Sequence, residues 1–361
     1  MKIAYIGHKR IPTREGGVEI VVEELTKGML ERGHQVDVYN RYKKDFEQKK
    51  SFMGARIITI PTINKKSLDA VVYSFLATIR AMFSSYDCIH FHAEGPCSMI
   101  WIPYILGIRT VATIHGLDWQ RSKWNRFASW YLRFGEKCAA KFADEVIVLS
   151  RSAQEYFKKE YNRDTVVIPN GINPPVKKNA DIIYRQYGLM GEDYILFLAR
   201  IVPEKGLEYL LKAYKELNTD KKLVIAGGFD NGEYSQRMLD MIKDMDNVIT
   251  TGFVSGDLLH ELFTNCYLYV LPSDVEGMPI SLMEAMSYGK LCVTSDISES
   301  CDVTGEFGIS FKKGDYEDLR DALDYALHIR RPDKRKISRY ILDNYTWDNV
   351  CDKTEILYRE K

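Results

Sequence analysis

The stretch YILFLARIVPEKG, residues 194–206, decides the fold that this sequence predicts. A short apolar run fills its first half, and a charged loop then ends in glycine before an amphipathic segment begins. A strand, a loop and a helix in that order form the repeating unit of a parallel sheet covered by helices. The same alternation returns downstream, so we expect a doubly wound sheet with further strands at 223–226, 248–250, 268–271 and 291–294.

The first half of the chain predicts a second sheet of the same kind. A linker is expected between the halves, because PNGINPP at 169–175 contains Asn-Gly and Pro-Pro pairs. A chain of 361 residues is also longer than one hydrophobic core usually supports. The apolar runs of the first half lie near 2–7, 35–40, 55–60, 87–91, 109–114, 145–149 and 165–168.

The predicted architecture is therefore α/β, with two Rossmann-like, doubly wound, parallel-sheet domains facing a cleft. We place an N-terminal domain at 1–172, a C-terminal domain at 173–340, and a C-terminal helix at 341–361 that packs back on the first domain. Ligands of such sheets bind at the carboxyl ends of the strands, so candidate residues are sought there.

Composition excludes several classes of protein. The chain is 45% hydrophobic and 28% charged, which is typical of a globular protein. No apolar run reaches the roughly 18 residues of a membrane-spanning helix. The first residues predict a buried strand instead of a signal peptide, so we expect a cytoplasmic protein. The seven cysteines include no C-x-x-C pair, which predicts neither a zinc site nor a disulfide framework.

Charge is unevenly distributed along the chain. The net charge is zero, but residues 1–175 carry 26 Lys and Arg against 18 Asp and Glu, an excess of +8. The first half is therefore the better candidate to contact an anionic partner, and a solvated basic surface explains the excess equally well. The absence of net charge argues against nucleic acid as a partner.

Two glycines stand between the first strand and the first helix. Gly16 and Gly17 let the backbone approach a ligand, and the N-terminus of the helix offers N–H groups to a phosphate. They are candidate diphosphate contacts, although a glycine turn before a helix is also common without a ligand. Their spacing does not match the G-x-G-x-x-G fingerprint of dinucleotide-binding proteins, which disfavours a nicotinamide enzyme.

Arg200 and Lys205 stand in the loop of the opening stretch. A guanidinium fork can bind two phosphate oxygens while an ammonium group adds a point charge to the same anion. Together they are candidates to stabilise a leaving diphosphate. The alternative is an exposed basic loop with a surface pair between Glu204 and Lys205.

Glu276 and Glu284 lie on either side of the start of a later helix. This helix is predicted to begin near Pro279, whose fixed φ suits a first helical turn. Two carboxylates so placed can accept hydrogen bonds from a hexose and from a ribose, while backbone N–H groups between them contact phosphate. A helix-dipole glutamate and a solvated glutamate are the alternative.

Taken together, these segments resemble family 4 of the retaining glycosyltransferases with the GT-B fold. The resemblance implies transfer of a sugar from a UDP-, dTDP- or GDP-sugar to a saccharide or lipid-linked saccharide acceptor in surface polysaccharide biosynthesis, with donor binding mainly in the C-terminal domain. It covers nearly the whole chain and includes GGVE at 16–19, RGHQV at 32–36, TIHG at 113–116, IPNG at 168–171, residues 200–205, GFV at 252–254, and Glu276 with Glu284.

The resemblance also implies a role for each candidate residue. Glu276 contacts the donor sugar, Glu284 the ribose and the backbone of Val254 the base, while His115 lies beside the transferred sugar. A lone histidine at a strand end is otherwise most often structural. We therefore expect His115, Arg200, Lys205 and Glu276 to be catalytic, and the donor to contact Gly16, Gly17, Arg200, Lys205, Val254, Glu276, Gly277, Met278, Pro279, Ile280 and Glu284.

Two segments resemble, more narrowly, a subgroup rich in rhamnosyltransferases of bacterial surface polysaccharides. They are IPTREGGVE at 11–19 and GLDWQRSKW at 116–124. Several members have phenylalanine where this chain has Val18, and some have Asp-Gly where this chain has His-Gly before Leu117. The transferred sugar is expected to be a hexose or a deoxyhexose, and the leaving phosphate guides the acceptor without a protein nucleophile.

No cofactor and no metal are expected. Residues 244–246 spell the D-x-D pattern that holds a cation on a diphosphate in metal-dependent transferases. They stand at the exposed end of a polar helix, however, and Arg200 with Lys205 can neutralise the diphosphate instead. Two other functions stay open: a non-catalytic nucleotide-sugar-binding subunit of a polysaccharide assembly complex, and an epimerase or phosphorylase of the same fold.

Residues 119–133 mix aromatic and cationic side chains in the pattern of an interfacial helix. Such a helix fits an acceptor carried on a membrane lipid, and it predicts peripheral contact with the inner face of the cell membrane. A core helix with solvated Arg and Lys on its outer side fits the same pattern.

Overall fold

The structure of the chain, a computed structural model, describes residues 1–13, 16–44, 46–63, 68–120 and 126–359. The chain forms two compact units, of which the first combines Met1–Gly171 with Tyr345–Lys361 and the second is Ile172–Asn344. The change from the first unit to the second falls inside the segment 169–175. As domain limits, 1–172, 173–340 and 341–361 stay predictions.

The first unit contains a sheet of eight described strands in the order β3-β4-β2-β1-β5-β6-β7-β8. Among them β3 pairs antiparallel with β4, and the other pairs are parallel. The strands are β1 (Lys2–Ile6), β2 (Gln35–Arg41), β3 (Ser51–Phe52), β4 (Ala55–Ile60), β5 (Cys88–His92), β6 (Arg109–Ile114), β7 (Glu145–Val148) and β8 (Val166–Val167). The helices are α1 (Gly17–Glu31), α2 (Asp69–Met82), α3 (Glu94–Cys97), α4 (Trp101–Ile105), α5 (Arg126–Phe142) and α6 (Arg151–Tyr161).

The second unit contains a sheet of six described strands, all parallel, in the order β11-β10-β9-β12-β13-β14. The strands are β9 (Tyr194–Leu198), β10 (Lys222–Ala226), β11 (Val248–Gly252), β12 (Leu268–Leu271), β13 (Cys292–Ser295) and β14 (Gly308–Phe311). The helices are α7 (Ile182–Tyr187), α8 (Leu207–Glu216), α9 (Glu233–Ile242), α10 (Gly256–Asn265), α11 (Ile280–Ser287), α12 (Ser298–Thr304), α13 (Tyr316–His328) and α14 (Lys334–Asn344).

Burial explains why the central strands form. All five residues of β5 are buried, and so are four of the five residues of β9. Strands of a parallel sheet have helices on both faces, so a nearly continuous apolar run is what such a position requires. The predicted α/β class with two doubly wound parallel sheets is confirmed. Strands β3 and β14, which were not predicted, are short and largely half-buried or exposed.

The strand order of each sheet reverses at one place. The chain builds outward from β1 through β2 to β3 and β4 and then crosses to β5, and in the second sheet it builds from β9 through β11 and then crosses to β12. The loops after the two neighbouring strands leave the sheet in opposite directions at that place and open a crevice at the carboxyl ends of the strands. A ligand site is therefore expected in the loops after β1 and β5 and in the loops after β9 and β12.

The last described helix, α15 (Trp347–Arg359), belongs to the first unit. Arg32 Nη2 donates to Asp352 Oδ1 at 2.5 Å, and His34 Nε2 lies 2.9 Å from Glu355 Oε1. A Cβ at Gly28 would lie 2.3 Å from Cys351 Sγ, so α1 packs closely on α15 and a side chain there would displace Cys351. The charged residues of α15 therefore contact residues just after the first helix, and Tyr358 OH lies 3.3 Å from Tyr5 OH in β1.

Candidate functional site

The loops after β9 and β12 meet at the switch point of the second sheet. Arg200 and Lys205 lie in the first loop, and Glu276 lies in the second. Lys205 Nζ donates a hydrogen bond to Glu276 Oε1. Their side chains form an ion pair with only 15% and 7% of their surface exposed. The structure thus brings together two predicted site residues from separate loops, and it leaves Arg200 exposed in the same loop as Lys205.

Backbone contacts hold these two loops against each other. Gly206 adopts a φ of +69°, and a Cβ there would lie 1.9 Å from the carbonyl oxygen of Pro272, so only glycine fits. The backbone N–H of Asp274 donates to the carbonyl oxygen of Glu204 at 2.9 Å. Tyr209 OH donates to Asp274 Oδ2 at 3.1 Å. Sequence reasoning did not single out Gly206 as a site residue, although a glycine directly before a helix is the signal that marks it.

The pairing of Lys205 with Glu276 has a chemical consequence. Each group is mostly removed from water, so each needs an opposite charge or a hydrogen-bond partner. A phosphate can replace the carboxylate beside Lys205, and hydroxyl groups can replace the ammonium beside Glu276. The arrangement can therefore exchange an internal ion pair for contacts with a ligand that carries both a phosphate and hydroxyl groups.

Helix α11 begins directly after the loop that carries Glu276. The structure places Pro279 before the helix, as its N-cap with a ψ of 98°, and the helix starts at Ile280. The helix therefore begins within one residue of the start predicted near Pro279. The side chain of the N-cap residue, Pro279, makes no capping hydrogen bond. The backbone N–H groups at the start of α11, together with the positive end of the helix dipole, can therefore bind an anion.

The remaining residues of this predicted stretch lie around the same helix. Gly277, Met278 and Glu284 are half-buried, and Glu284 lies one turn inside α11. The Tyr269 hydroxyl lies 2.8 Å from Ser281 Oγ and donates to the carbonyl oxygen of Leu198 at 3.1 Å. This contact connects α11 to the end of β9, so the helix start and the Arg200 loop are held in one place.

Val254 lies just after β11, near the edge of the second sheet, and is buried. The backbone N–H of Gly227, just after β10, donates to the carbonyl oxygen of Gly252 at 2.9 Å. A Cβ at Gly227 would lie 2.2 Å from the carbonyl oxygen of Ala199. The loops after β9, β10 and β11 are thus in direct contact. Sequence reasoning missed Gly227, although a Gly-Gly pair after a strand is its signal.

Gly16 and Gly17 form the start of α1. Gly16 is the N-cap, with extended backbone and no side-chain cap. Glu19 fills part of this region: its Oε1 accepts the backbone N–H of Lys9 at 2.9 Å, and its Oε2 would lie 2.4 Å from a Cβ at Gly16. A phosphate at this helix end would meet a carboxylate, which weakens the attraction. The preceding Arg14 and Glu15 lie outside the described residues.

His115 follows β6 and lies in a group of three histidines. His92 Nδ1 is 3.1 Å from His115 Nε2, and the rings of His90 and His92 stack with centroids 4.1 Å apart. Burial lowers the pKa of His90 to about 3. Burial, together with the neighbouring histidines, lowers the pKa of His92 well below its usual value. These two rings are therefore neutral, and His92 orients the ring of His115 by a hydrogen bond.

Sequence reasoning gave His90 and His92 no role. Alternate residues of a strand point to one face of the sheet, so two histidines separated by Phe91 at the end of β5 share a face. His90 also bonds outside the group, since its Nδ1 lies 2.7 Å from Tyr358 OH and its Nε2 lies 2.7 Å from Thr113 Oγ1. A His-x-His pattern at the end of a predicted strand is the sequence feature that could have identified these two residues.

Two buried carboxyl groups lie close to this part of the first unit. Glu94 Oε1 accepts the backbone N–H of Asp118 at 3.2 Å. Burial raises the pKa of Glu94 and of Glu136, and the nearby carboxylate of Asp118 adds to the shift at Glu94. A Cβ at Gly135 would lie 2.0 Å from the Glu94 carbonyl oxygen, which shows how closely α5 packs on α3. Sequence reasoning did not identify this pair.

The D-x-D pattern lies away from the switch point of its own sheet. Asp244 and Asp246 are exposed in the turn between α9 and β11, at the amino end of that strand. In the parts of the chain that the structure describes, no group of three or more His, Cys, Asp or Glu side chains is placed to hold a metal ion.

Helix α5 carries an exposed aromatic surface. Phe127, Trp130 and Phe134 lie on one face, and Trp130 is 60% exposed. The centroid of the Trp130 ring lies 5.9 Å from those of the other two rings. The core-helix interpretation is therefore wrong for these three side chains. Residues 121–125 of the predicted segment lie outside the described residues, and within those described no helix is long and apolar enough to cross a membrane.

Known proteins match both halves of the chain. Residues 15–175 match Glycosyltransferase Family 4, and residues 180–342 match Glycosyl transferases group 1. An uncharacterised glycosyltransferase of Methanocaldococcus jannaschii is 26% identical over 99% of this chain and 98% of its own. The GDP-mannose-dependent alpha-(1-6)-phosphatidylinositol monomannoside mannosyltransferase of Mycolicibacterium smegmatis is 24% identical over 93% of each chain.

A solved structure shares the fold. Sucrose-phosphate synthase from Thermosynechococcus elongatus superposes with a TM-score of 0.84 at 20% sequence identity, over 99% of this chain and 98% of that one. The two family matches follow each other along nearly the whole chain, and each falls mainly on one of the two parallel sheets. The chain therefore belongs to the glycosyltransferases of the GT-B fold, family 4 and group 1, and is an enzyme that transfers sugars.

Proposed function

We propose that this enzyme transfers a hexose or a deoxyhexose, rhamnose included, from a UDP-, dTDP- or GDP-sugar, with retention, in surface polysaccharide biosynthesis. One observation carries the proposal. At the switch point of the second sheet, Lys205 and Glu276 meet from two loops, just before the start of α11. A diphosphate can bind to the cation and to the N-terminus of the helix, and a sugar hydroxyl can donate a hydrogen bond to the carboxylate.

In this mechanism Arg200 and Lys205 bind the diphosphate. Negative charge grows on the leaving phosphate as its bond to the anomeric carbon breaks, and two fixed cations stabilise that state more than the ground state. They perform the task of a divalent metal, so the reaction requires no metal or other cofactor. Lys205 exchanges Glu276 for phosphate when the donor binds, and Glu276 then accepts a hydrogen bond from the sugar.

The other predicted residues complete the donor site in this proposal. Glu284 accepts a hydrogen bond from the ribose, and the backbone of Val254 contacts the base. The backbone from Gly277 through Met278 and Pro279 to Ile280 lies along the phosphates, and Gly16 and Gly17 are further diphosphate contacts. His115 lies beside the transferred sugar.

Retention follows without a protein nucleophile. The leaving phosphate accepts the proton of the acceptor hydroxyl and guides that hydroxyl to the face of the sugar from which the phosphate departs. No carboxylate attacks the anomeric carbon in this mechanism. A glycosyl-enzyme intermediate trapped on Glu276 or on any other carboxylate would contradict it.

We propose further that the acceptor is a saccharide or a lipid-linked saccharide, reached by peripheral contact with the inner face of the cell membrane. The support is the face of α5, where three exposed aromatic side chains lie among the exposed cations Arg126, Arg133 and Lys137. Aromatic rings enter the interfacial region of a bilayer while cations attract anionic lipids. The relative from M. smegmatis is named for a lipid-linked acceptor.

A thermal-shift screen identifies the donor. UDP-, dTDP-, GDP- and ADP-sugars are added separately, and the donor raises the melting temperature because it binds the folded state alone. The same donor is then used in a transfer assay, and the anomeric configuration of the product is read by NMR. A product with inverted configuration would contradict retention.

Substitutions test the donor residues in that assay. Arg200→Ala is expected to lower kcat by orders of magnitude, because it removes charge-assisted contacts to the leaving group. Arg80→Ala, at an exposed position near the end of α2, is the matched control and should transfer at the wild-type rate. EDTA should leave the rate unchanged. Near wild-type kcat in Arg200→Ala would remove that residue from the mechanism.

A further inference from the structure

The first unit contains a cavity of about 190 Å³ at the carboxyl ends of β1 and β2. Its lining includes Arg10 from the loop after β1, Arg41 from the end of β2, and Phe46 and Lys49 from the loop after β2. None of the residues assigned to the donor above contributes to it. The cavity therefore needs an explanation of its own.

Hydrogen bonds fix one wall of this cavity. The Asn40 side chain bonds to both backbone groups of Ile11: its Oδ1 accepts the Ile11 N–H at 3.0 Å, and its Nδ2 donates to the Ile11 carbonyl oxygen at 2.8 Å. The backbone N–H of Arg41 donates to the carbonyl oxygen of Lys9 at 2.6 Å. The loop after β1 and the end of β2 thus form a single hydrogen-bonded structure.

Positive charge dominates the described lining. Arg10, Arg41 and Lys49 contribute three cations, and Glu47 contributes one carboxylate. The guanidinium of Arg10 lies 4.0 Å from the centroid of the Phe46 ring, and stacking on an aromatic ring holds a guanidinium in a defined orientation. The lining thus has an excess of two positive charges, one of which is offset by the ion pair of Arg41 with Asp69, and a positive excess around a concave surface attracts an anion.

One N–H group of Arg41 has no hydrogen-bond partner within the described part of the chain. Its Nη1 donates to Asp69 Oδ2 at 2.7 Å, and its guanidinium lies 4.9 Å from the centroid of the Tyr73 ring. Its Nε is buried and has no hydrogen-bond partner among the described residues. A buried N–H without a partner costs about 1–3 kcal/mol. An oxygen atom of a bound anion would supply the missing bond.

We propose that this cavity binds a phosphate or diphosphate group of the acceptor, so that the acceptor is an anionic saccharide. The inference rests on the proposed function, in which the donor diphosphate is held by Arg200 and Lys205 in the second unit. The guanidinium stacked on Phe46, the second guanidinium with an available N–H and the ammonium group of Lys49 match the oxygens of such a group. The basic excess of residues 1–175 has the sign that an anionic acceptor requires.

Calorimetric titration with inorganic diphosphate tests the cavity in the full-length protein. UDP, dTDP and GDP are present in excess, so that a nucleotide site for any of these bases is filled. Wild-type protein should bind one diphosphate, and the double variant Arg10→Gln/Lys49→Gln should bind it at least about tenfold more weakly. Arg80→Gln/Lys159→Gln removes the same two charges near the ends of α2 and α6 and should bind as the wild type does.

Three results of this titration would overturn the proposal. The first is no binding of diphosphate by the wild type, and the second is equal affinity in the two double variants. The third is binding that the nucleotides abolish, because the cavity would then hold the donor. The titration does not depend on transfer, so Arg200→Ala with full activity would remove Arg200 from the proposed mechanism and leave this result in place.

Transfer kinetics distinguish the sources of the phosphate. The same acceptor saccharide is supplied as a methyl glycoside, as a sugar 1-phosphate and as a polyprenyl diphosphate. The wild type should prefer the phosphorylated forms through a lower KM, and Arg10→Gln/Lys49→Gln should lose that preference with kcat unchanged. A larger preference for the polyprenyl form assigns the phosphate to a lipid carrier, and equal preference assigns it to a free sugar phosphate. A methyl glycoside used as well as both phosphates would refute the proposal.

Discussion

Replacing Lys205 by methionine removes one partner from a nearly buried ion pair. In the donor-free protein its ammonium group donates to Glu276, and the two side chains are 15% and 7% exposed. Two unit charges about 3 Å apart attract each other by about 5 kcal/mol at an effective dielectric constant of about 20. Part of this attraction is offset by the removal of both charges from water, so the net value of the pair is small.

The large effect comes from removing one partner alone. Methionine keeps the length of the lysine stem, but Glu276 is left as a carboxylate with little access to water. We expect Lys205→Met to lower the free energy of unfolding by about 2–4 kcal/mol. Adding Glu276→Gln removes the remaining charge and should restore stability to within about 1 kcal/mol of the wild type. The rate of sugar transfer should fall by orders of magnitude in both variants, because each lacks a cation that binds the diphosphate.

Urea unfolding and the transfer rate measure the two effects separately. Lys212→Met is the control, because Lys212 pairs with Glu208 in a more exposed position of α8, and it should cost less than about 1 kcal/mol. If Lys205→Met lowers the free energy of unfolding no more than this control does, burial of the ion pair does not cause the loss of stability. If the double variant stays as unstable as the single one, the loss does not come from an uncompensated charge.

Three further predictions concern packing, pH and membrane contact. Gly206→Ala should lower the free energy of unfolding by about 3 kcal/mol or more, because its Cβ would lie 1.9 Å from the Pro272 carbonyl oxygen at a positive φ; an unchanged melting temperature would contradict this. Because burial lowers the pKa of His90 from 6.5 to about 3, the unfolded chain binds a proton there that the folded protein does not. Stability should therefore fall by about 2 kcal/mol from this residue between pH 7 and pH 5, and urea unfolding of His90→Gln should show that much less pH dependence. Trp130→Ala should weaken sedimentation with vesicles of anionic phospholipid several-fold, whereas the equally exposed Tyr325→Ala in the second unit should not; equal weakening by both would argue against α5 as the contact.

The class of the fold could be predicted from the sequence because buried parallel strands require apolar runs. The predicted run at 194–199 became β9, which ends one residue earlier, at Leu198. The strand at 308–311 was missed, since GISF contains a glycine and a serine and lies largely half-buried at the edge of the sheet. An edge strand has fewer neighbours, so its sequence is less constrained and its pattern is weaker.

The contact between Lys205 and Glu276 could not be predicted from spacing. It depends on β9 and β12 being neighbours, although β10 and β11 lie between them in the chain. Apolar runs show that strands exist but do not give their order in the sheet. The sequence therefore supplied candidate residues at the ends of strands, and the topology decided which of them meet.

The net charge of each half of the chain gives no information on where the donor binds. Residues 176–361 carry 24 Lys and Arg against 32 Asp and Glu, so the half that contains Arg200 and Lys205 is acidic. Salt screens exposed charges beyond about 8–10 Å, so a bound diphosphate responds to the cations and the helix end that touch it, and hardly to the sum over a unit. The same reasoning applies to the basic first unit, where the excess of +8 is compatible with many surfaces. What makes the cavity beside β2 a specific proposal is the placement of Arg10 on Phe46 and the available Nε of Arg41, and these depend on the fold.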